Sequence, residues 1–376
     1  MNRKIVHFKV GNGNCSVIQA EDFVMIIDLN HNDESDSSYE MLQSFFRELN
    51  GKKIIDVLCI THGDEDHCLD FSIFKEKIDS GDLIIGTIWH QDFDRRLNSE
   101  LKNLPKDYLS LQEEIDRRKA VISPVFGDIQ IPLKAMDTEK EAFNGINKPD
   151  NLNIKVLSPF KEDNEDGDYT HNDLSLICKL ELNEMTTLYT GDAPSKYWQD
   201  KIIPDLLNQA YYKEWAQSNI LIAGHHGSYD FFGEDRESVR DSDEEPDNYE
   251  ALNSILPSEL IISAVNKFPT NGDSSGDQPP HYAAWKWYHK WFRDNREVDD
   301  EENHPVQFKY TVDGNISIEY IDNKWCWDLN YEISKDNKTN ILEAANKIKQ
   351  ELTAGTLLIG SSLKSQPNKG FYGWND

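Results

Sequence analysis

The stretch Thr61-His62-Gly63-Asp64-Glu65-Asp66-His67 contains two histidines and two aspartates within six residues. It directly follows Ile54–Ile60, an apolar run typical of a buried strand, so it forms a loop at a strand end, where catalytic groups usually lie. Gly63 allows the tight turn that these side chains need in order to converge. Imidazole and carboxylate donors suit Zn²⁺ and, with more oxygen donors, Mn²⁺. The alternative for this cluster taken alone is an acidic, solvated turn.

Three further strand ends carry the same residue types. Thr190-Gly191-Asp192 closes the strand Thr186–Thr190, Gly224-His225-His226-Gly227-Ser228 closes Ile220–Ala223, and His171 precedes the strand that begins at Ser175. A single histidine is most often structural. A sheet brings strand ends to one edge, however, so the four clusters together predict a two-metal site.

The remaining pattern predicts two mixed sheets covered by helices. Other strands are expected at Ile5–Val10, Ser16–Ala20, Phe23–Asp28, Leu83–Trp89, Ile154–Leu157, Ser175–Glu181, Leu260–Val265, Gln307–Thr311 and Ile316–Ile321, and helices at Ser38–Leu49, His281–Phe292 and Thr339–Leu352. Residues 91–145 are charged and helix-prone and read as an insertion. The acidic run Gly233–Asn248 reads as a second insertion that forms a solvated loop.

Composition excludes several classes of protein. With 39 Lys+Arg against 68 Asp+Glu, the formal charge of the 376 residues is −29. Such a chain is not a generic basic binder of nucleic acid, and an anionic membrane surface is a poor partner for it. No apolar run approaches the roughly 20 residues that span a bilayer, and the N-terminus does not read as a signal peptide. Five scattered cysteines form no disulfide framework, which predicts a reduced, cytoplasmic protein.

These motifs resemble those of the metallo-β-lactamase superfamily, whose first metal motif is His-x-His-x-Asp-His. The closest branch is the hydrolase domain of the ComEC-type competence DNA-uptake proteins, where the motif reads His-x-Asp-x-Asp-His as it does here. The likeness runs from residue 4 to about 321. Its other landmarks are His7–Asn14, Ile26–Asp28, Val156–Pro159, Asn172–Leu176, Tyr189–Asp192, His225–Ser228, Pro280-His281 and Tyr310-Thr311 with Gly314.

The resemblance implies an α/β fold, a four-layer αββα sandwich with the metals at one sheet edge. Residues 1–321 would form the hydrolase-like domain, with insertions at about 91–145 and 233–248, and residues 322–376 a C-terminal extension with one helix. Two divalent ions are implied, with Zn²⁺ favoured and Mn²⁺ possible. The implied ligands are His62 and His171 for the first ion, with Asp64 on it or nearby, Asp66, His67 and His225 for the second, and Asp192 between them.

His225 is preferred to His226 as the ligand because the strand delivers it first, which leaves His226 to face the substrate or support a ligand. The chain departs from the superfamily's pattern in two places. Cys68-Leu69-Asp70 stands where small residues usually follow the Asp-His pair, and Asp64 replaces the second histidine of the motif. The second change leaves the first site short of nitrogen donors, so the first metal need not be zinc.

The resemblance implies a metal-dependent phosphodiesterase or nuclease that uses a metal-bridging hydroxide. Asp64 or Asp66 would accept a proton, while His226 or His281 would stabilise or protonate the departing alkoxide. The acidic surface favours a small or single-stranded phosphodiester substrate. One alternative is an acyl hydrolase acting on an ester, thioester or lactone. Another is a regulatory module that retains the fold and binds a protein partner through its insertions or C-terminal extension.

Two further patterns have an ordinary structural interpretation. Gly11-x-Gly13 is a turn and not a phosphate-binding fingerprint, since no helix and third glycine follow. The stripe Trp285, Tyr288, Trp291 and Phe292 has helical spacing and predicts core packing. Stacking of nucleic-acid bases on these rings is the alternative.

Overall fold

The computed structural model describes residues 3–32, 37–90, 106–117, 149–159, 169–170, 172–204, 215–271, 278–296 and 304–332. The helix predicted at Thr339–Leu352, most of the insertion at 91–145 and His171 lie outside the described residues. Within that insertion the structure describes one helix, Lys106–Arg117.

The described strands and helices alternate along the chain in two batches. The strands are β1 Arg3–His7, β2 Ser16–Ala20, β3 Phe23–Ile27, β4 Arg47–Leu49, β5 Lys52–Cys59, β6 Leu83–Trp89, β7 Leu152–Ser158, β8 Ile177–Leu182, β9 Met185–Tyr189, β10 Ile220–Ile222, β11 Glu259–Ile262, β12 Phe308–Tyr310, β13 Ile316–Ile321 and β14 Lys324–Asp328. The helices are α1 Ser38–Leu42, α2 Glu65–Cys68, α3 Phe71–Ser80, α4 Lys106–Arg117, α5 Ser195–Tyr197, α6 Arg236–Asp241, α7 Tyr249–Ile255 and α8 Tyr282–Asn295.

These strands form two mixed sheets. The first is eight-stranded in the order β14-β13-β1-β2-β3-β5-β4, with β6 paired to β5. The second is six-stranded in the order β12-β11-β10-β9-β8-β7. Strands β3, β5 and β6 run parallel in the first sheet, and β9 to β12 run parallel in the second.

Two apolar layers hold the sheets and helices together. Buried side chains of both sheets, including Met25 and Val57 from the first and Leu180 and Ile220 from the second, pack against one another. A second cluster lies between the six-stranded sheet and its helices, where Trp291 of α8 is fully buried. The alternate side chains of the first sheet, among them Val17, Ile26 and Leu58, are also fully buried, so its outer face is covered as well. The predicted αββα sandwich is thereby confirmed. None of the described helices has the length and apolarity needed to cross a membrane.

The sandwich brings the ends of parallel strands from both sheets to one edge. The amide of Leu176 donates to the carbonyl of Thr61 at 2.8 Å, which joins the sheets just beyond β5. Within the second sheet, the amide of His225 donates to the carbonyl of Gly191 at 3.2 Å, which joins the loops that follow β9 and β10. The histidine and aspartate clusters found in the sequence therefore share this edge.

Two-residue turns account for two differences from the sequence prediction. The helix expected at Ser38–Leu49 stops at Leu42, because Asn50-Gly51 turns the chain with φ of 54° and 76° and pairs Arg47–Leu49 with β5. The pair Asp322-Asn323, with φ of 51° and 62°, makes a similar turn into β14. The first sheet thus continues beyond the boundary predicted after residue 321. Left-handed pairs of this kind suit tight hairpins.

The acidic run at 233–248 was expected to be a solvated loop, and this expectation is wrong in part. Six of its residues form α6, in which Val239 is buried. The indole Nε1 of Trp287 donates to the carbonyl of Val239 at 2.7 Å, and Lys286 donates to the carbonyl of Arg240 at 2.9 Å. Packing on α8 orders this segment in spite of its charge. The core role predicted for Tyr288, Trp291 and Phe292 is confirmed, whereas Trp285 is half-buried.

Candidate metal centre

The loop after β5 is short and closely wound. The amide of His67 donates to the carbonyl of Asp64 at 3.0 Å, which starts the four-residue helix α2. Asp66 and His67 therefore lie on a single helical turn, with His67 fully buried and Asp66 partly exposed at the surface of the site.

On the second sheet, Gly191 allows Asp192 to enter the same region. Gly191 has a φ of +52°, and a Cβ placed on it would lie 2.8 Å from Cβ of Ser175. The amide of Asp192 donates to Oγ of Ser175 at 3.1 Å. Only glycine fits this close approach, which holds the buried Asp192 carboxylate between the two sheets.

The loop after β10 contains two consecutive histidines in a left-handed conformation. His225 has φ of 45° and ψ of 53°, and His226 has φ of 56° and ψ of 24°. Such values are uncommon for residues other than glycine and are concentrated at functional sites. They reverse the chain directly after β10. The rings of His225 and His226 are inclined at 72° to each other.

Four donor groups converge at the sheet edge. Asp66, His67, Asp192 and His226 each place one ligand atom within 4.8 Å of all the others. Nε2 of His67 lies 3.3 Å from Nε2 of His226 and 3.4 Å from Oδ1 of Asp192. Nε2 of His226 lies 3.4 Å from Oδ2 of Asp66. A tetrahedral ion with bonds of 2.0–2.1 Å separates its ligands by about 3.3–3.4 Å, so this arrangement fits a divalent cation.

A second group adjoins the first through Asp192. Nε2 of His62 lies 3.6 Å from Oδ2 of Asp192 and 3.6 Å from Oδ2 of Asp64. Within the described part of the chain, buried Nε2 of His62 and buried Oδ1 of Asp192 have no hydrogen-bond partner. Buried polar atoms are normally paired, so these two atoms are best explained as ligands of cations.

His226, and not His225, lies with Asp66 and His67, which differs from the sequence expectation. The left-handed backbone reverses the chain immediately after the strand, so the second histidine points back toward Asp66. His225 is one-quarter exposed, and its Nε2 lies 3.4 Å from Oδ2 of Asp192. Its Nδ1 lies 2.5 Å from Oδ2 of Asp230, a residue that the sequence analysis did not identify.

The two histidines also differ in the partners of Nδ1. Asp230 accepts from Nδ1 of His225, so loss of the other ring proton would leave the lone pair on Nε2, as in most metal-binding histidines. The amide of Gly13 donates to Nδ1 of His226 at 3.3 Å, near the long end of hydrogen-bond distances. The place of its ring beside Asp66 and His67 therefore favours His226 as a ligand. The hydrogen bond from Nδ1 to Asp230 favours His225.

Asp28 is a second functional residue that the sequence analysis missed. This fully buried carboxylate follows β3 and accepts from the Thr61 amide at 2.7 Å, from Oγ1 of Thr61 at 2.8 Å and from Nδ1 of His67 at 2.9 Å. It orients the His67 ring so that Nε2 points into the site. The sequence could have indicated Asp28 as a site residue, because it is a carboxylate at the end of an entirely apolar strand.

The turn at Gly11–Asn14 packs directly on the site. A Cβ on Gly13 would lie 2.7 Å from the carbonyl oxygen of Asp66, and Oγ of Ser263 donates to the carbonyl of Gly13 at 2.7 Å. The prediction of a turn is confirmed. The structure adds that this turn supports both Asp66 and His226.

Opposite charges shift the pKa values in the centre. Burial alone would raise the pKa of Asp192, but the surrounding imidazoles of His67, His226, His225 and His62 hold it well below its usual range. Burial opposes protonation of His225, but Asp192 and Asp230 raise its pKa to about 9. The metal-free centre therefore keeps ionised carboxylates beside protonated imidazoles.

His281, predicted as a catalytic residue, is buried beside the loop after β10. Its amide donates to the carbonyl of Gly227 at 3.0 Å, and its Nδ1 accepts from the amide of Tyr229 at 3.3 Å. These bonds tie α8 to the loop that contains His225 and His226. The predicted ligand His171 lies outside the described residues.

Comparison with known families identifies one match. The sequence model described as the metallo-beta-lactamase superfamily matches residues 8–245, more than half of the chain. The comparison with curated proteins gives no match.

Several solved structures are similar to the chain at low identity. A metallo-beta-lactamase fold protein, YhfI from Bacillus subtilis, is 12% identical, with 69% of this chain and 85% of that chain covered and a TM-score of 0.34. The short form of human tRNase Z is 12% identical, with 69% and 92% covered and a TM-score of 0.36. A diphosphatase from the PhnP family is 9% identical, with 85% and 99% covered and a TM-score of 0.39. TM-scores this low carry no argument about activity.

Proposed function

The chain belongs to the metallo-beta-lactamase superfamily, and from that premise we propose that this metal-dependent hydrolase is a phosphodiesterase. The observation that carries the proposal is the group Asp66, His67, Asp192 and His226, whose donor atoms have the spacing of ligands around a cation. His62 and Asp64 adjoin this group through Asp192, which supports two neighbouring cations.

The donor set favours phosphoryl transfer over acyl transfer. Asp64, Asp66 and Asp192 supply carboxylate oxygens, and the replacement of a motif histidine by Asp64 makes the first position richer in oxygen. Oxygen-rich sites suit the harder cations that act on phosphate esters. Divalent cations held here would supply Lewis acidity toward a phosphoryl oxygen and lower the pKa of water. Zn²⁺ stays the favoured ion because His62, His67 and His226 supply imidazole nitrogen at both positions, and Mn²⁺ is the alternative that the carboxylates favour.

We assign the ligands by position. His62 and Asp64 hold the first cation, and Asp66, His67 and His226 hold the second. Asp192 is shared between them. His171 is added to the first cation on the family resemblance alone. Binding at Nε2 of His226 requires the ring proton to move to Nδ1 and the 3.3 Å contact with Gly13 to open.

His225 is then the imidazole that faces the substrate. Among the four described histidines of the centre its side chain is the most exposed, at 26%. Asp230 holds it in place, and the pair can deliver a proton to the departing oxygen. Asp64 and Asp66 are partly exposed, and either would accept the proton of the attacking water.

A substrate panel tests the proposal. Purified protein loaded with Zn²⁺ or Mn²⁺ is offered phosphodiesters, including a dinucleotide, alongside carboxylic esters, thioesters and lactones. We expect turnover of the phosphodiesters that Asp66→Ala and His67→Ala each lower by about 10³-fold, or about 4 kcal/mol of transition-state stabilisation. Glu65→Ala, an exposed carboxylate in the same turn, is the matched control. Turnover of the acyl substrates alone would overturn the proposal in favour of acyl hydrolysis.

Three further proposals concern the branch of the superfamily, the cellular compartment and a protein partner. We place the chain in the ComEC-type branch on the order of its motifs and on Asp64. We also propose that it acts in the cytoplasm, which is supported by five cysteines that are all free thiols. A protein partner could bind the insertions or residues 322–376. A metal content below one ion per chain in folded protein would favour the regulatory module over the enzyme.

A further inference from the structure

Helix α8 begins at the edge of the metal centre. Tyr282, its first residue, follows His281, whose amide donates to the carbonyl of Gly227 at 3.0 Å. Gly227 belongs to the same loop as His225 and His226. A side chain in the first turn of α8 is therefore next to the loop that holds the candidate catalytic histidines.

Three aromatic rings stack along one side of this helix. The centroids of Tyr282 and Trp285 are 5.4 Å apart with planes inclined at 26°, and those of Trp285 and His289 are 4.8 Å apart at 23°. All three side chains are half-buried, whereas Trp287, Tyr288 and Trp291 on the other side are fully buried. Trp285 packs against that core, and the rings of Tyr282 and His289 stack on it. Near-parallel offset rings of this kind extend readily to a further flat ring.

The same helix is basic within an acidic protein. It contains Lys286, Lys290 and Arg293 against one acid, Asp294, while the whole chain has a formal charge of −29. Lys290 pairs with Glu245 at 2.8 Å, and Arg293 pairs with Asp294 at 3.4 Å. Arg293 lies four residues beyond His289, so it continues the side of the helix that carries the stack, and its side chain is half exposed. Aromatic rings interleaved with cations are the usual surface for single-stranded nucleic acid.

On this evidence, and resting on the proposed phosphodiesterase activity, we propose that Tyr282 is the stacking surface for a nucleobase of a single-stranded nucleic-acid substrate. Trp285 lies against Tyr282, with ring centroids 5.4 Å apart, and the His281 amide joins the start of the helix to the loop of His225 and His226. Within the described residues no other ring contacts Tyr282. A base stacked on Tyr282 would lie at the start of α8, the end of the helix that is joined to that loop.

The first test measures base preference in catalysis. Substrates are a short single-stranded oligonucleotide, as DNA and as RNA, and the same strand with abasic sites flanking the scissile bond. Tyr282→Leu should lower the ratio of kcat/KM for the base-bearing strand to that for the abasic strand by about tenfold, chiefly through KM. Tyr282→Phe should keep the ratio. Tyr320→Leu, a half-buried tyrosine beside Trp325 on the first sheet, is the matched control.

The second test measures binding and does not depend on turnover. Fluorescence anisotropy of the labelled oligonucleotide should show about tenfold weaker binding to Tyr282→Leu, with no such loss for the abasic strand. If turnover is absent but this base-dependent loss remains, the phosphodiesterase proposal fails and the stacking surface stands. Equal effects of Tyr282→Leu on base-bearing and abasic strands, or no effect on either, would overturn the stacking surface itself.

Discussion

Nε2 of His67 lies 3.3 Å from Nε2 of His226, although the two residues are 159 positions apart in the chain. Two imidazole nitrogens at this distance either share a proton or share a cation. Carboxylate oxygens of Asp192 and Asp66 lie 3.4 Å from one or other of these nitrogens, which completes the ligand set of a cation. The pair therefore marks the position that we propose for the second cation.

The first prediction concerns metal content. His67→Ala and His226→Ala should each lower the metal bound by about one ion per chain, because each removes a donor from the group of four. His225→Ala should keep its metal but lose activity, since that ring lies outside the group. Inductively coupled plasma mass spectrometry on gel-filtered protein measures both outcomes.

Circular dichroism of each variant controls for folding. If His225→Ala loses an ion while His226→Ala keeps its full content, the tautomer argument is right and the assignment by position is wrong. The bond from Nδ1 of His225 to Asp230 would then be the support of a ligand.

The second prediction concerns Asp28. Asp28→Asn should weaken metal binding by about 10- to 100-fold, since an amide cannot accept from both the Thr61 amide and Nδ1 of His67 without opposing one donor to another. It should also lower the free energy of unfolding by about 1–3 kcal/mol, because a buried donor is left unpaired. Competition with a fluorescent chelator measures the affinity.

Asp56→Asn is the control for that variant. Asp56 is a buried carboxylate of the same sheet, and its Oδ2 accepts from the Val24 amide and from Nε of Arg47, both at 2.8 Å. This control should lose stability and retain metal affinity. An equal loss of affinity in both variants would show that Asp28 acts only through folding.

Sequence patterns predict the architecture well where the periodicity is long and the strand ends are chemically distinctive. The clusters at Thr61–His67, Thr190–Asp192 and Gly224–Ser228 meet as predicted, because parallel strands of two packed sheets must end at a shared edge. The hairpins at Asn50-Gly51 and Asp322-Asn323 were missed although asparagine and glycine signal tight turns, since the apolar spacing around the first was equally compatible with a helix.

The finer geometry of the site could not be predicted in the same way. Which of His225 and His226 meets Asp66 depends on two consecutive left-handed residues, and nothing in the order Gly-His-His-Gly specifies them. The support given by Gly13 to His226 joins residues 213 positions apart. Contacts of this kind are fixed by tertiary packing and not by local pattern.

A third prediction concerns pH and His7. Burial lowers the pKa of His7 to about 3 in the folded protein, against 6.5 for an exposed imidazole. The part of the folding stability that depends on a neutral His7 ring is complete above pH 6.5. It is lost as the pH falls toward 3, because the unfolded chain binds a proton that the folded chain excludes. The free energy of unfolding should fall by up to about 1.4 kcal/mol per pH unit from this group.

His7→Gln removes the titrating ring and keeps a polar side chain beside Oγ of Ser16, with which Nδ1 of His7 shares a 2.8 Å hydrogen bond. Urea unfolding of both proteins with a chelator present, between pH 7.5 and 5, should show the wild type losing more stability than the variant. The metal ligands titrate in both proteins and cancel in the difference. Parallel curves would show that the pKa of His7 is not lowered by folding.

The fourth prediction concerns the response of activity to salt. The formal charge of −29 repels a polyanion at long range, whereas cations bound in the centre would attract it only nearby. Salt screens the long-range repulsion, with a Debye length of about 10 Å at 0.1 M. Basic nucleic-acid enzymes behave oppositely, since they lose affinity as salt rises and counterion release is weakened.

Activity on a long single-stranded polynucleotide should therefore hold steady or rise from low to moderate salt. A dinucleotide carries too little charge to sense the distant field, so its turnover should barely change over the same range. Measuring kcat/KM for both substrates at several concentrations of NaCl separates the two contributions. A steep fall with salt for the polynucleotide alone would mean that local basic contacts outweigh the net charge, and the acidic surface would then not limit the choice of substrate.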